Sequence, residues 1–211
     1  WLFFYFVLPI AMHNLKAIIF DKDDTFMKDQ VYSPSISFDL LFEDTVQSCK
    51  IFHDCGYFLF IISNQSGIER GYFNEQELLS NFIDFNNKLF LSNGFRIDGF
   101  FYCPHDPSSL CLCRKPNIGM YYQIKALFQI DTKNSFYIGD RLADIEFAQN
   151  AGLVPVIIHR PDYSYKHQST YDDMDLIEQE EENEHVAIFP SLLSFSQTIE
   201  KFYKKNTNFV L

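Results

Sequence analysis

Three cysteines and a histidine lie close together near the middle of this 211-residue chain. They form two short pairs joined by a loop: Cys103, His105, Cys111 and Cys113. Thiolate and imidazole ligands at this spacing are typical of a tetrahedral zinc site. A basic pair, Arg114 and Lys115, follows the last cysteine directly and suits an anion. The sequence therefore predicts a structural Zn²⁺ loop that directs two positive charges toward a phosphate-like group.

A second set of polar side chains follows the ends of apolar runs that resemble buried strands. In open α/β sheets, ligands bind at the carboxyl ends of the strands. The set comprises Asp21 and Asp23 after the first run, Ser63 and Asn64 after the second, Lys115 after the third, and Asp140 and Asp144 after the fourth. Because carboxylates are hard oxygen ligands, we expect Asp21, Asp23 and Asp140 to hold Mg²⁺.

These groups favour phosphoryl transfer. The Asp21 carboxylate can attack phosphorus and form an aspartyl-phosphate, while Asp23 protonates the leaving oxygen and then activates water. Ser63 and Lys115 can neutralise the developing phosphoryl charge. Lys22 is expected to point away, since side chains alternate along a strand. A single aspartate would be explained by a turn or a helix cap, but complementary groups at four strand ends would not.

Alternating strands and helices would position these groups. Apolar runs predict strands at 16–20, 57–62, 99–102, 135–138 and 154–158. Helical spacing predicts helices at 42–55, 75–92, 117–129 and 142–150, followed by an edge strand at 186–189 and a closing helix at 192–205. The alternation predicts an α/β fold with a doubly wound, mainly parallel sheet and helices on both faces.

Composition and net charge indicate the number of domains, the partners and the compartment of this protein. We expect residues 12–211 to form one domain. The net charge of −11 argues against nucleic-acid and anionic membrane partners. The zinc-type cysteine spacing indicates a reducing compartment, so we expect a cytoplasmic protein. We also expect a monomer.

Two segments stand apart from the predicted domain. Residues 1–12 are all apolar or proline and too few to span a bilayer, so we expect Met12 to be the start and residues 1–11 to be a non-native or disordered extension. A hydrophobic anchor for a membrane-bound partner module is the alternative. Residues 171–184 contain eight acidic residues and no Lys or Arg, which predicts a solvated loop.

The strand-end motifs resemble those of the haloacid dehalogenase (HAD) phosphatase superfamily over residues 16–158. The matching motifs are Asp21-Lys22-Asp23, Ser63-Asn64, Lys115 and Gly139-Asp140-Arg141-Leu142-Ala143-Asp144. The resemblance implies a Rossmann-like HAD fold with Asp21 as nucleophile, Asp23 as acid/base and Asp140 as a magnesium ligand. It also implies phosphoryl contacts for Ser63 and Lys115, substrate contacts for Asn64, Arg114 and Arg141, and a place for Asp144 behind the metal ligands.

The zinc loop resembles one branch of that superfamily, which contains D-glycero-D-manno-heptose 1,7-bisphosphate 7-phosphatases and histidinol-phosphate phosphatases. This branch lacks a large cap domain, and its zinc organises a substrate loop. Residues 64–71 and 114–120, with Asp29 and Tyr32 in a first substrate loop, are similar to the heptose enzymes. The short gap from His105 to Cys111 is more similar to the histidinol enzymes. A small phosphorylated metabolite, first of all a sugar bisphosphate, is therefore the expected substrate.

One residue departs from the resemblance. Asp24 occupies a position where the superfamily usually has glycine, which adopts tight turns more readily than aspartate. The extra carboxylate also adds negative charge near the predicted phosphoryl site. We therefore expect Asp24→Gly to raise turnover. The same departure leaves open a catalytically impaired, zinc-stabilised binding protein on the same fold.

Overall fold

The computed structural model describes residues 14–163 and 186–207, so the expectations for residues 1–11 and 171–184 lie outside the described part of the chain. Within it, six strands form one sheet in the order β3-β2-β1-β4-β5-β6, and every pairing is parallel. The strands are β1 (Ala17–Asp21), β2 (Phe58–Asn64), β3 (Gly99–Cys103), β4 (Phe136–Gly139), β5 (Val154–Ile158) and β6 (Ala187–Phe189). The predicted parallel sheet is confirmed.

Five helices accompany these strands in the described residues: α1 (Thr45–Asp54), α2 (Glu75–Asn93), α3 (Gly119–Leu127), α4 (Leu142–Ala151) and α5 (Leu192–Thr207). Side chains of β1 alternate between two hydrophobic clusters. Ile18 and Phe20 pack with residues of α1, α2 and α5, whereas Ala17 and Ile19 pack with residues of α3 and α4. Strands buried on both faces read as continuous apolar runs, which is why periodicity alone located them. The predicted two-sided arrangement of helices is confirmed.

Helix ends follow the local sequence signals. Asn74 and Glu77 form a capping box at the start of α2, and Gly94 ends that helix in a left-handed conformation with φ of 76°. Helix α3 is shorter than the predicted range 117–129, because the Asn117 backbone N–H donates to the Arg114 carbonyl in a turn that precedes the helix. Phe128 is already extended at its other end.

The order of the strands places Asp21 at the reversal point of the sheet. The chain builds β1, β2 and β3 toward one side and then crosses to β4 on the other side of β1. Such a reversal opens a crevice at the carboxyl ends of the two central strands. Asp21 ends β1, and Asp140 follows β4 directly beside it. The topology therefore brings these two carboxylates together.

The connections leave this crevice without a separate cap domain in the described residues. The connection from β1 to α1 contains only a short 3₁₀ turn at Phe38–Leu40. Across residues 14–163 and 186–207, no helix combines the length and apolar composition needed to cross a bilayer.

Candidate active site

A cavity of about 410 Å³ lies at the carboxyl edge of the sheet. The residues predicted for the site that line it are Asp21, Asp23, Asp29, Tyr32, Ser63, Asn64, Arg114, Lys115, Arg141 and Asp144. Asp140 lies beneath the cavity and is only 1% exposed. The structure thus brings together side chains from four strand ends and the loop that follows β1.

Asp21 is a buried residue at the base of this cavity. Its Oδ1 accepts a hydrogen bond from the Lys22 backbone N–H at 2.8 Å and is 2.7 Å from the Lys115 ammonium. Burial raises the pKa of Asp21 to about 7, although Lys115 lowers it. A carboxylate at this position would therefore be stabilised by a further cation.

Two other buried carboxylates lie beside Asp21. Asp21, Asp140 and Asp144 each place an oxygen within 4.8 Å of the others. Burial, followed by the charge of Asp144, raises the pKa of Asp140 well above its usual value. Lys115 lies 2.7 Å from Asp21 and Asp144, and Arg141 Nε lies 3.5 Å from Asp140 Oδ2. Three carboxylates facing these two cations leave one negative charge in excess, and their hard oxygen atoms suit a divalent cation such as Mg²⁺. The donor set therefore fits the metal that the sequence predicts.

Each carboxylate oxygen of Asp144 is bonded to two protein groups. Its Oδ1 is 2.7 Å from Lys115 Nζ and accepts from the Tyr137 hydroxyl at 2.9 Å, and its Oδ2 accepts from the backbone N–H groups of Asp140 and Arg141. Although burial opposes it, Lys115 lowers the pKa of Asp144. These contacts use most of the acceptor capacity of the carboxylate. Asp144 thus holds Lys115 in place at the wall of the cavity.

Gly139 makes this arrangement possible. A Cβ atom at residue 139 would lie 2.3 Å from the Asp144 Cβ and Cγ atoms. Because both residues are buried, neither could move aside. Only glycine at the end of β4 allows the Asp144 carboxyl group to pack against the strand and reach Lys115.

The Asp23 carboxyl group lies on a different side of Asp21. Its Oδ2 accepts from Gln65 Nε2 at 3.1 Å and from the Ser63 hydroxyl at 3.3 Å. The structure therefore places this carboxyl group outside the cluster of Asp21, Asp140 and Asp144. The structure thus separates the Asp23 carboxyl group, which stays in the cavity, from the carboxylates that could hold a metal.

The expectation that Lys22 points away is wrong. The Lys22 ammonium lies 2.5 Å from Asp23 Oδ1, and the residue lines the cavity although its side chain is only 3% exposed. Strict alternation of side chains ends with β1 at Asp21, and a turn begins at Lys22. The buried ammonium therefore returns to the same pocket as the carboxylates.

Three further residues support the site and were missed from the sequence. Gln65 Nε2 donates to both Asp23 and Ser63, and the Thr25 hydroxyl donates to Asp140 Oδ1 at 3.1 Å. Tyr137 bonds to Lys115 as well as to Asp144. Thr25 and Gln65 lie close to predicted site motifs in the sequence, so motifs extended along the chain would have included them. Tyr137 lies in an apolar strand, where a tyrosine indicates a position in the hydrophobic core, so the sequence gave no reason to assign it to the site.

Other predicted substrate residues hold the loop that carries the basic pair. The Asn64 side chain accepts from the Lys115 backbone N–H at 3.0 Å and donates to its carbonyl at 3.4 Å. Arg114 Nη1 donates to the His105 carbonyl at 3.3 Å. Asn64 thus fixes the backbone that presents Lys115, and Arg114 contacts the cysteine-rich loop while lining the cavity.

The four predicted zinc ligands converge on one point. Cys103 Sγ is 3.4 Å from Cys111 Sγ and 3.1 Å from Cys113 Sγ, and His105 Nδ1 is 3.2 Å from Cys113 Sγ. Tetrahedral zinc with bonds of about 2.0 to 2.3 Å holds its ligands roughly 3.3 to 3.8 Å apart. All five cysteines of the chain are free thiols. The donor set and its near-tetrahedral spacing fit zinc better than a disulfide.

Removing one thiol ligand tests this assignment. Cys111→Ser should lose the bound zinc that wild-type protein retains through dialysis, because serine is a poor zinc ligand at neutral pH. The loop between Cys103 and Cys113 should then become more sensitive to protease. Metal analysis measures the first effect and limited proteolysis the second. Cys55→Ser, at a cysteine outside the cluster, is the matched control, and full zinc retention by Cys111→Ser would reject the site.

Asp24 has a left-handed backbone conformation with φ of 60°. This conformation is the one expected at a position where the superfamily usually has glycine. Its Oδ1 accepts from the Asp29 backbone N–H at 3.0 Å and from the Tyr163 hydroxyl at 2.8 Å. Its Oδ2 is fully buried without a hydrogen-bond partner in the described residues, 3.8 Å from Arg141 Nη2. Burial raises the pKa of Asp24. The aspartate therefore fixes the first substrate loop, at the expense of backbone strain and a poorly accommodated charge.

Two substitutions separate these effects. Asp24→Gly should raise kcat by relieving strain and removing negative charge near Asp140, and it should raise KM because Asp29 is released. Asp24→Asn keeps an acceptor for Asp29 and tolerates the same backbone, so it should raise kcat without the increase in KM. Steady-state kinetics of both variants measure the split. A lower kcat in both would show that the catalytic site depends on the charge of Asp24.

Comparisons with known proteins agree with this geometry. The sequence model for polynucleotide kinase 3 phosphatase matches residues 16–175. The chain is 36% identical over 140 residues to a probable D-glycero-D-manno-heptose-1,7-bisphosphate 7-phosphatase of Thermoplasma volcanium, covering 66% of this chain and 95% of that relative. It is 38% identical over 144 residues to D-glycero-alpha-D-manno-heptose-1,7-bisphosphate 7-phosphatase of Campylobacter jejuni, covering 68% and 81%.

A solved structure supports the fold. The D,D-heptose 1,7-bisphosphate phosphatase of B. bronchiseptica, solved with magnesium and phosphate, superposes with a TM-score of 0.73 at 24% identity, over 89% of this chain and 99% of that one.

The sheet order and the solved structure show a HAD-like fold, and the relatives at 36–38% identity are named as phosphatases, so the chain is a phosphoric monoester hydrolase. The chain belongs to the polynucleotide kinase 3 phosphatase family. Among the curated relatives of that fold, it is similar to those named heptose-1,7-bisphosphate 7-phosphatases.

Proposed function

We propose that this phosphatase is Mg²⁺-dependent and removes the 7-phosphate of D-glycero-D-manno-heptose 1,7-bisphosphate through an aspartyl-phosphate. The observation that carries the reaction class is the buried cluster of Asp21 and Asp140 opposite Lys115 at the base of the cavity. The substrate rests on the names of relatives that are 30–38% identical to the chain.

The metal would be held by the Asp21 and Asp140 carboxylates, because Asp144 is already bonded to Lys115 and Tyr137. Asp23, two residues after Asp21, is the third residue that we propose as a ligand. When bound, Mg²⁺ supplies positive charge that offsets the carboxylates and orients a phosphoryl group. Lys115 supplies further positive charge from the opposite side, and the Ser63 hydroxyl a hydrogen bond.

The chain's own groups account for the two chemical steps. The Lys22 backbone N–H and the Lys115 ammonium hold Asp21 Oδ1, so we assign the attack on phosphorus to Oδ2, while the bond from phosphorus to the sugar oxygen breaks. Asp23 acts as the general acid that gives a proton to that oxygen, and the sugar leaves. The Asp23 carboxylate then takes a proton from water, which attacks the aspartyl-phosphate. Inorganic phosphate leaves and Asp21 is restored.

The zinc loop would have a structural role. It carries Arg114 and Lys115 directly after Cys113, and Gly119 packs so closely beneath it that a Cβ atom there would lie 2.5 Å from the Leu112 carbonyl oxygen. Because thiolate ligands persist under reducing conditions, we also propose the cytoplasm as the compartment.

A substrate comparison tests the proposal. The protein with Mg²⁺ should hydrolyse the heptose bisphosphate with a higher kcat/KM than histidinol phosphate, and a chelator should remove the activity until Mg²⁺ is restored. Preference for histidinol phosphate would assign the alternative substrate. Binding of the bisphosphate without turnover would instead assign the impaired binding protein.

A further inference from the structure

Arg70 joins two loops that border the outer end of the cavity. Its Nη1 donates to the Tyr32 hydroxyl at 2.7 Å, and its Nε donates to Asp106 Oδ2 at 2.6 Å. Tyr32 belongs to the first substrate loop, whereas Asp106 lies in the zinc loop. Arg70 itself follows β2, so one guanidinium connects segments that are distant in sequence.

Tyr32 is held in an unfavourable conformation at this point. Its φ is +52°, a left-handed value that is uncommon for an aromatic residue. Its ring stacks on Tyr72 with centroids 4.7 Å apart, and the Arg70 guanidinium carbon lies 5.1 Å from its centroid. Strain of this kind persists only where neighbouring contacts enforce it. Arg70 and Tyr72 supply those contacts.

The neighbouring Glu69 attaches to the zinc loop by separate bonds. Its carboxylate accepts from the Asp106 backbone N–H and from the Ser109 hydroxyl, the latter at 2.7 Å. These bonds hold the zinc loop against the loop that follows β2 without involving Tyr32. Loss of the Arg70 side chain should therefore free Tyr32 while leaving the zinc loop attached.

We propose that Arg70 is a positioning residue that couples the first substrate loop to the zinc loop and thereby shapes the outer end of the cavity. Tyr32, Arg70 and Arg114 all line the cavity. With Asp21 at the base, this end faces the part of a sugar bisphosphate remote from the reacting phosphate. Arg70 acts through its two side-chain partners rather than by charge alone, and its effect on substrate rests on the proposed function.

The planar guanidinium distinguishes this role from simple attraction of an anion. Lysine keeps the positive charge but cannot bridge two partners in fixed directions. Arg70→Ala and Arg70→Lys should therefore both raise KM for the heptose bisphosphate about tenfold, with a smaller change in kcat. Tyr32→Phe should add little to Arg70→Ala, since both remove the same bond. Arg96→Ala, which removes an arginine stacked on Phe90, is the matched control.

Hydrogen exchange measures the coupling without substrate. Peptides covering residues 28–35 should exchange faster in both Arg70 variants, and not in Arg96→Ala. Unchanged exchange, or recovery of KM by Arg70→Lys, would overturn the proposal. If the wild type does not hydrolyse the heptose bisphosphate, the proposed function fails, whereas the exchange comparison still decides whether Arg70 couples the loops.

Discussion

Asp21→Asn should abolish turnover while the chain folds and retains the proposed zinc. The substitution preserves the shape of the side chain but removes the anion that attacks phosphorus. Loss of a covalent nucleophile lowers kcat by about four or more orders of magnitude. Folding should survive because burial already disfavours the Asp21 carboxylate, and Lys115 keeps its contact with Asp144. We therefore expect an unchanged thermal midpoint or a slight increase.

Steady-state assays with Mg²⁺, zinc analysis and thermal unfolding would measure these effects on one preparation. Asp54→Asn is the matched control, since it removes a carboxylate paired with Lys50 on the exposed face of α1. It should retain wild-type activity and zinc. Substantial turnover by Asp21→Asn would refute the covalent mechanism.

Asp23→Asn should slow the second step more than the first. An asparagine oxygen can still accept from Gln65, which keeps the side chain in the cavity, but its amide nitrogen then faces the Lys22 ammonium, which loses its carboxylate partner. It cannot give a proton to the leaving oxygen or take one from water, and loss of a general acid/base lowers rates by about 10²- to 10⁴-fold. With p-nitrophenyl phosphate, whose leaving group needs no proton, the aspartyl-phosphate should form and then hydrolyse slowly.

Rapid-mixing kinetics would show this as a burst of nitrophenolate followed by a slow steady state. For a sugar phosphate, whose leaving oxygen needs the proton, the burst should be absent. Asp54→Asn is again the control and should behave like the wild type with both substrates. Equal loss of rate with both leaving groups, without a burst, would contradict the assignment of Asp23.

The sequence predicted the sheet because its central strands are buried on both faces. Continuous apolar runs such as that of β1 are distinctive, and glycines such as Gly94 mark helix ends. The catalytic edge followed from chain order alone, since parallel strands end on the same edge of a sheet. The Cys/His cluster was predictable for a similar reason, because the spacing of its four members is local.

Side-chain networks were not predictable in this way. Lys22 turns into the cavity because β1 ends one residue earlier, and no periodicity reports that turn. Tyr137 and Arg70 act through partners far away in sequence. Asp24 was identified as a departure, but its bonds to Asp29 and Tyr163 depend on the folded loop. Residue types thus indicated the chemistry, and only the fold showed what holds each group in place.

The covalent mechanism makes Asp21 the residue that carries the phosphoryl group. The most direct measurement is to mix Asp23→Asn protein with p-nitrophenyl phosphate and Mg²⁺, quench in acid during the slow phase, and map phosphorylation by peptide mass spectrometry. The prediction is an acid-stable, hydroxylamine-sensitive phosphoryl group on Asp21. This group should be absent when Mg²⁺ is omitted, and absent from the double variant that carries Asp21→Asn as well as Asp23→Asn. A nitrophenolate burst with no phosphoryl group on Asp21, or with one on another residue, would contradict the account.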